Sequence, residues 1–99
     1  MNFRISVKAA EDLEKIWLFT LENWSCEQAD RYLSLILDEI TFLAKYPENG
    51  IDFGDVRNGY LYSKVKSHLV FYKRNEKNKV IEVIRILHER MDLGNRLIE

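Results

Sequence analysis

The stretch SCEQADRYLSLILDEITFLA, Ser25 to Ala44, decides the fold. Ala29, Tyr32, Leu33, Ile36, Leu37, Ile40, Leu43 and Ala44 recur three and four apart, which is one apolar stripe of an α-helix. Ser25 reads as its N-cap, and Gln28 three residues on completes a capping box. Glu27 and Arg31 add an i,i+4 pair on the solvent side. No Gly or Pro interrupts the pattern until Pro47 and Gly50 end it. Upstream, Leu13, Ile16, Trp17, Thr20 and Leu21 form a second stripe, predicting a helix from about Ala9 to Asn23. The short link Asn23-Trp24-Ser25 makes the two an antiparallel αα-hairpin. Trp17 and Trp24 are expected in the hairpin core, as large aromatics on helix stripes usually are.

On either side of the hairpin the period is two. Before it, Phe3, Ile5 and Val7 alternate with Asn2, Arg4 and Ser6, a half-buried strand. After it, a loop covers Ile51 to Gly54. A strand then runs from Val56 to Lys66, with a bulge or turn near Asn58-Gly59. A tight turn at Lys66-Ser67 leads into a strand from His68 to Arg74. Past the polar reversal Asn75–Asn78, VIEVIRIL (Val80 to Leu87) is β-branched and apolar on both faces, which marks an interior strand. The tail from His88 is polar, with Met91, Leu93, Leu97 and Ile98 as docking points. The expected architecture is α+β: an N-terminal strand, an αα-hairpin, then an antiparallel three-strand meander, with both helices packed on one face of a single sheet. The opposite sheet face is expected to be concave and partly polar, lined or rimmed by Tyr60, Tyr62, Lys64, Lys66, Lys73, Arg74, Arg85, His88 and Arg90.

Length and composition bound the function. Ninety-nine residues, 46% hydrophobic and 31% charged, predict a single domain spanning 1–99. No apolar run approaches the roughly 20 residues of a membrane span, and the first residues hold no apolar signal segment. The one cysteine, Cys26, excludes an internal disulfide and a multi-cysteine zinc site, so a cytoplasmic location is expected. Cys26 follows a helix cap, yet it reads as small filler rather than as a nucleophile. The net charge of −1 argues against a nucleic-acid coat, so direct binding to nucleic acid by this chain alone is not expected. That charge is unevenly spread. Residues 1–50 hold 5 Lys and Arg against 9 Asp and Glu, whereas residues 51–99 hold 10 against 7, suggesting two surfaces with different partners.

Familiar catalytic patterns are missing. The four glycines are scattered, so there is no phosphate-binding loop, and no serine sits in a nucleophile elbow. His68 and His88 match no metal-ligand spacing, and no cofactor or metal is expected. Acid–base chemistry on RNA needs a base, an acid and cations at the scissile phosphate. His88, Arg85, Arg90, Arg74 and Lys64 supply these types if they share a surface. The alternative is that basic groups at strand ends pair with neighbouring carboxylates such as Glu89 and Asp92.

One set of motifs points further. Arg85-Ile86-Leu87-His88-Glu89-Arg90-Met91-Asp92 resembles the signature that closes toxins of the ParE family, within the RelE/ParE superfamily. Asp55-Val56-Arg57-Asn58-Gly59-Tyr60 and Ser67-His68-Leu69-Val70-Phe71-Tyr72-Lys73 resemble two further ParE segments. The helical residues Ala10, Asp12, Leu13, Ile16, Trp17, Gln28, Ala29 and Tyr32 fit the same pattern, so the likeness spans Ile5 to Leu97. It implies the toxin of a type II toxin–antitoxin module, held in a hetero-oligomer with a ParD-like antitoxin. ParE-type toxins inhibit DNA gyrase by trapping it on cleaved DNA, whereas their RelE-type relatives cut mRNA on the ribosome. The nuclease branch tends to carry a tail tyrosine near its basic residues. Here no aromatic residue follows Tyr72, which favours the gyrase branch and an absence of catalysis.

On that reading the expected target-binding residues are His88, Arg90, Met91, Arg85, Arg57 and Tyr60; for a nuclease, His88, Arg85 and Arg90 become the active groups. Arg57 and Arg85 have a second reading, as partners of acidic residues that orient strands. An antitoxin helix is expected along the hairpin, over Trp17, Leu21, Tyr32 and Ile36, with an extended segment on an open sheet edge. Open edges would make the free toxin less soluble than its complex.

Overall fold

The computed structural model describes residues 2–98. Strand β1 (Asn2–Ile5) leads into helices α1 (Val7–Asn23) and α2 (Cys26–Lys45). A single 3-10 turn, Pro47–Asn49, follows. Strands β2 (Ile51–Asp52), β3 (Tyr60–Val65), β4 (His68–Asn75) and β5 (Val80–His88) come next, and a short helix α3 (Leu93–Ile98) closes the chain. The sheet order is β1-β5-β4-β3-β2. The predicted meander is β3-β4-β5, antiparallel throughout, while β1 runs parallel to β5, with Asn2 opposite Val80.

Ser6 sets the first correction to the sequence reading. Its hydroxyl accepts from the Ala9 amide at 3.0 Å, so it caps α1 and ends β1 at Ile5. Val7 is therefore helical and 77% exposed, rather than the inner residue of a strand. At the second helix the expected cap holds: Ser25 Oγ accepts from the Gln28 amide at 3.1 Å.

One face of the sheet carries the hairpin. Ile36, Ile40 and Leu43 of α2 and Ala9 of α1 pack on Val70, Tyr72, Ile81, Val83 and Ile86, all buried. Tyr72 crosses beneath the 3-10 turn and donates to the Pro47 carbonyl at 2.7 Å, so its phenol fills the space where a side chain at residue 50 would lie. Only glycine fits there for that reason.

The opposite face, expected to be concave and partly polar, does carry Tyr60 and Tyr62 but is largely apolar. It holds a second apolar cluster, in which Tyr60, Leu69, Phe71 and Leu87 pack with Leu97 of α3 and with Phe53, Tyr62, Ile84 and Leu93. Phe53, Tyr62 and Phe71 stack with ring centroids 5.1–5.7 Å apart. Both the tail helix and the two-residue strand β2 lie in segments read from sequence as polar tail and loop.

The reason lies partly in β5. Phe71 pairs with Arg85 but Tyr72 pairs with Val83, so Ile84 is an extra residue in a bulge. Beyond it the alternation inverts, and Val83 and Ile86 share the hairpin face. The bulge falls where β1 stops. Ser6 continues the pairing, donating its amide to the Val83 carbonyl at 3.0 Å and its hydroxyl to the Ile84 carbonyl at 2.7 Å. Asp12 of α1 then takes the Ile86 amide on Oδ2 at 3.0 Å.

Candidate functional site

Arg85 belongs to that edge. Its Nε donates to Asp12 Oδ2 at 2.8 Å, its Nη2 to Asp12 Oδ1 at 3.0 Å, and its Nη1 to the Arg96 carbonyl at 3.2 Å. Both side chains are about nine-tenths buried. The fork-on-carboxylate geometry is the strong form of the pair. Arg85 thus ties α1, β5 and α3 together, and of its two sequence readings the structure supports the orienting one rather than a guanidinium facing a partner or a phosphate.

One turn further on, at the end of β5, the chain opens a trough. Two cavities of about 420 and 400 Å³ share Thr20, Trp24, Tyr32 and Ser67 on their walls and so run into one another. The first extends toward Lys15, Ile16, Phe19, His68, His88 and Met91; the second toward Gln28, Arg31, Leu35 and Lys66. The hairpin supplies one wall. The β3–β4 turn and the end of β5 supply the other. Trp24 is 70% exposed, Phe19 63% and Met91 43%. Trp24 is therefore surface and not hairpin core: it sits at the C-cap of α1, off the apolar stripe, with its amide closing the helix on the Thr20 carbonyl.

At the inner end of the trough two histidines meet. His68 and His88 are paired across β4 and β5, with ring centroids 5.3 Å apart. Tyr32 reaches over from α2, its hydroxyl 2.6 Å from His68 Nδ1. Burial raises the Tyr32 pKa above its ordinary value, against the pull of a hydrogen bond from the Ser67 backbone. Burial lowers the His68 pKa, and the neighbouring His88 lowers it further. His88 Nδ1 accepts the Arg90 amide at 3.1 Å, which places its ring proton on Nε2. Lys64 is engaged outside this group, 2.8 Å from Glu89, and it holds the Glu89 carboxyl below the usual range.

The predicted site residues thus divide. His88 and Met91 line the trough, and Arg90 is exposed beside it. Tyr60 is buried in the second cluster, with the exposed Arg57 guanidinium 5.9 Å from its ring. That pair sits at the far end of β3 from His88, since Val65 and not Tyr60 is opposite His68. The structure does not bring them to one surface. Among the antitoxin candidates Ile36 is fully buried in the core and presents nothing to a partner. Tyr32 joins the trough, and Leu21 is half-buried. Trp17 lines a separate apolar groove with Ile5, Leu13, Leu33 and Leu37, its indole donating to Asp30 at 2.9 Å. His68, Phe19 and Trp24 were missed as site residues. The His68–His88 pairing required the β4–β5 register, which the tight turns on either side made readable in principle.

Two solved structures share this architecture. One is described as the chromosomal ParDE toxin–antitoxin system from P. aeruginosa (TM-score 0.77, 19% identity, 89% of this chain and 95% of that one). The other is the RelBE2 toxin–antitoxin complex from Mycobacterium tuberculosis (TM-score 0.66, 18% identity, 88% and 95%). At such identities the likeness establishes a RelE/ParE-like toxin fold. Sequence narrows it. Residues 3–93 match the family model for the ParE toxin of type II toxin–antitoxin systems, parDE. Toxin ParE1 of Mycobacterium tuberculosis (strain H37Rv) is 34% identical over 96 residues, covering 97% of both chains. Toxin ParE1 of Caulobacter vibrioides is 33% identical over 90 residues, covering 91% of both. The chain belongs to the ParE family and is a toxin of a type II toxin–antitoxin system.

Proposed function

We propose that this toxin acts by binding DNA gyrase through the trough at the end of β5, and that a ParD-like antitoxin neutralises it. The observation that carries the binding mode is the exposed cluster Trp24, Phe19 and Met91 on a trough whose walls, among the described residues, hold one arginine, Arg31 at the outer end. Aromatic and Met anchors around a partly polar pocket are the make-up of a protein-binding hot spot. The gyrase assignment rests on the family resemblance. The test is supercoiling by purified gyrase with excess toxin. Inhibition with accumulated cleavage complexes is expected, and unchanged supercoiling would refute the assignment. The apolar groove beside Trp17 is suited to an antitoxin helix.

A second reading has one observation in its favour. A tyrosine hydroxyl, Tyr32, does meet a histidine beside His88, which is part of what mRNA cleavage would need. Of the cations expected to complete it, Arg85 is engaged by Asp12 and Lys64 by Glu89, while Arg90 stands exposed beside the trough. Primer extension on translated mRNA in toxin-expressing cells discriminates: codon-linked cuts would replace the gyrase reading.

A further inference from the structure

The trough has a charge character that the chain as a whole lacks. The protein carries 16 Asp and Glu against 15 Lys and Arg, yet among the described residues no carboxylate is on the trough walls, while Lys15, Arg31 and Lys66 are. Of the carboxylates near the trough in sequence, Glu89 holds Lys64 and the exposed Glu27 lies 3.9 Å from Arg31, while Asp12 and Glu89 act on His68 from beyond the walls. At the inner end the two imidazoles each have Nδ1 engaged inside the protein, His68 by Tyr32 and His88 by the Arg90 amide. In neutral His88 the remaining proton is then on Nε2, for which no partner is found among the described residues; His68 carries its proton there when Tyr32, whose hydroxyl also lies 3.4 Å from the Val65 carbonyl, donates to its Nδ1. The two imidazoles, 5.3 Å apart by centroid, and Lys15 on the hairpin wall line one cavity and together suit an acceptor-only group. Phe19, Trp24 and Met91 flank it with apolar surface.

We infer that the trough recognises, in the toxin's protein target, a segment that places a carboxylate side chain next to bulky apolar residues, the carboxylate lodging between His68, His88 and Lys15 and the apolar residues against Trp24, Phe19 and Met91. This rests on the reading that the target is a protein and specifies the chemistry of the contact. A nucleic-acid strand is disfavoured as occupant. Among the described residues three fixed cations line the whole length, with mainly apolar surface between them, whereas backbone recognition of a strand depends on neutralising many phosphates.

The full chain, labelled with nitrogen-15 at histidine, is titrated with the blocked peptide acetyl-Leu-Asp-Phe-Leu-amide and followed at the imidazole Nε2 resonances. Its counterpart acetyl-Leu-Lys-Phe-Leu-amide and a five-nucleotide RNA serve as comparisons. Saturable movement of both histidine signals is expected with the Asp peptide, and about tenfold weaker binding with the Lys peptide, since one charge-assisted hydrogen bond is of that order. Lys15→Gln, an exposed position, and His88→Gln are each expected to erase most of that discrimination while the amide spectrum stays that of the folded chain. Equal affinity for both peptides, discrimination that survives both substitutions, or tighter binding of the RNA would overturn the inference. The outcomes separate from the gyrase test. Gyrase inhibition without peptide discrimination removes only this inference. Peptide discrimination without gyrase inhibition leaves it standing and removes gyrase as the target.

Discussion

Replacing Asp12 by Ala tests how the fold closes the edge of β5. The carboxylate receives three hydrogen bonds, two from the Arg85 guanidinium and one from the Ile86 amide, at 2.8–3.0 Å. Alanine removes them together and takes the Asp12 counter-charge from the guanidinium of a residue 9% exposed. Breaking a buried pair from one side typically costs about 3–5 kcal/mol, mostly as the penalty of the stranded charge. Native stability is about 5–15 kcal/mol in total, so the loss is a large share of it. The assay is urea denaturation followed by circular dichroism, for wild type, Asp12→Ala, Asp12→Asn and Asp12→Ala with Arg85→Met. Asp12→Asn keeps an oxygen for the Ile86 amide and is expected to lose less than Asp12→Ala. Adding Arg85→Met removes the buried charge that Asp12 balances and should recover part of the loss. Asp12→Ala within about 1 kcal/mol of wild type would show the pair to be incidental. A double variant weaker than Asp12→Ala would show that the stranded charge is not the source of the cost.

Other consequences follow from the packing and the titrating groups. Gly50→Ala drives a methyl into the Tyr72 phenol and should cost about 1–3 kcal/mol in thermal unfolding, most of which Tyr72→Phe does not restore, because ring carbons also lie in the way. Because His68 titrates lower in the folded chain than in the unfolded one, the unfolded chain binds more protons as pH falls below about 6.5. Stability should therefore decline as pH drops below that value toward the folded pKa, and the decline should flatten in His68→Gln, as read from denaturation midpoints at pH 7 and 5. Ile36→Ala should destabilise by about 2–5 kcal/mol, as expected of a fully buried side chain, and affect antitoxin binding only through the fold. Trp24→Ala, at an exposed position, should leave the unfolding midpoint nearly unchanged while weakening toxicity on expression without antitoxin; unaltered toxicity would remove Trp24 from the binding surface.

The hairpin and the meander were legible because their signals are local. The stripe from Ala29 to Ala44 and the Ser25 cap need no knowledge of the rest of the chain. What escaped depends on contacts between distant segments. Ser6 looks like one more polar residue in an alternating strand until its hydroxyl is seen capping α1 and meeting the Ile84 carbonyl. The Ile84 bulge inverts a period-two pattern that sequence can only extrapolate, so the sequence leaves Arg85 between an exposed cation and a strand-orienting partner of a carboxylate, and burial on Asp12 decides for the second. Leu93 and Leu97 are too few to announce a helix, yet they help cover the aromatic face that was expected to be polar. His88 and Met91 were found through the tail signature. Their neighbours His68, Phe19 and Trp24 come from three other places in the chain, and only the fold assembles them.

Asp12 and Ser6 together do a job that in most sheets falls to another length of backbone. β1 pairs with β5 for only four residues, and past Val83 the outward-facing amides and carbonyls of β5 would otherwise stand bare along the margin of the sheet. A hydroxyl and a carboxylate, both on the segment that begins α1, occupy those positions instead. A row of bare backbone groups is a template onto which a second chain can add a strand. Here that template is filled from within; the edge strands β1 and β2 are four and two residues long, and β3 runs on past β2 from Ser63 to Val65. During the interval in which the protein stands alone, its longest strand is thus closed to self-association on the side where it would be most vulnerable.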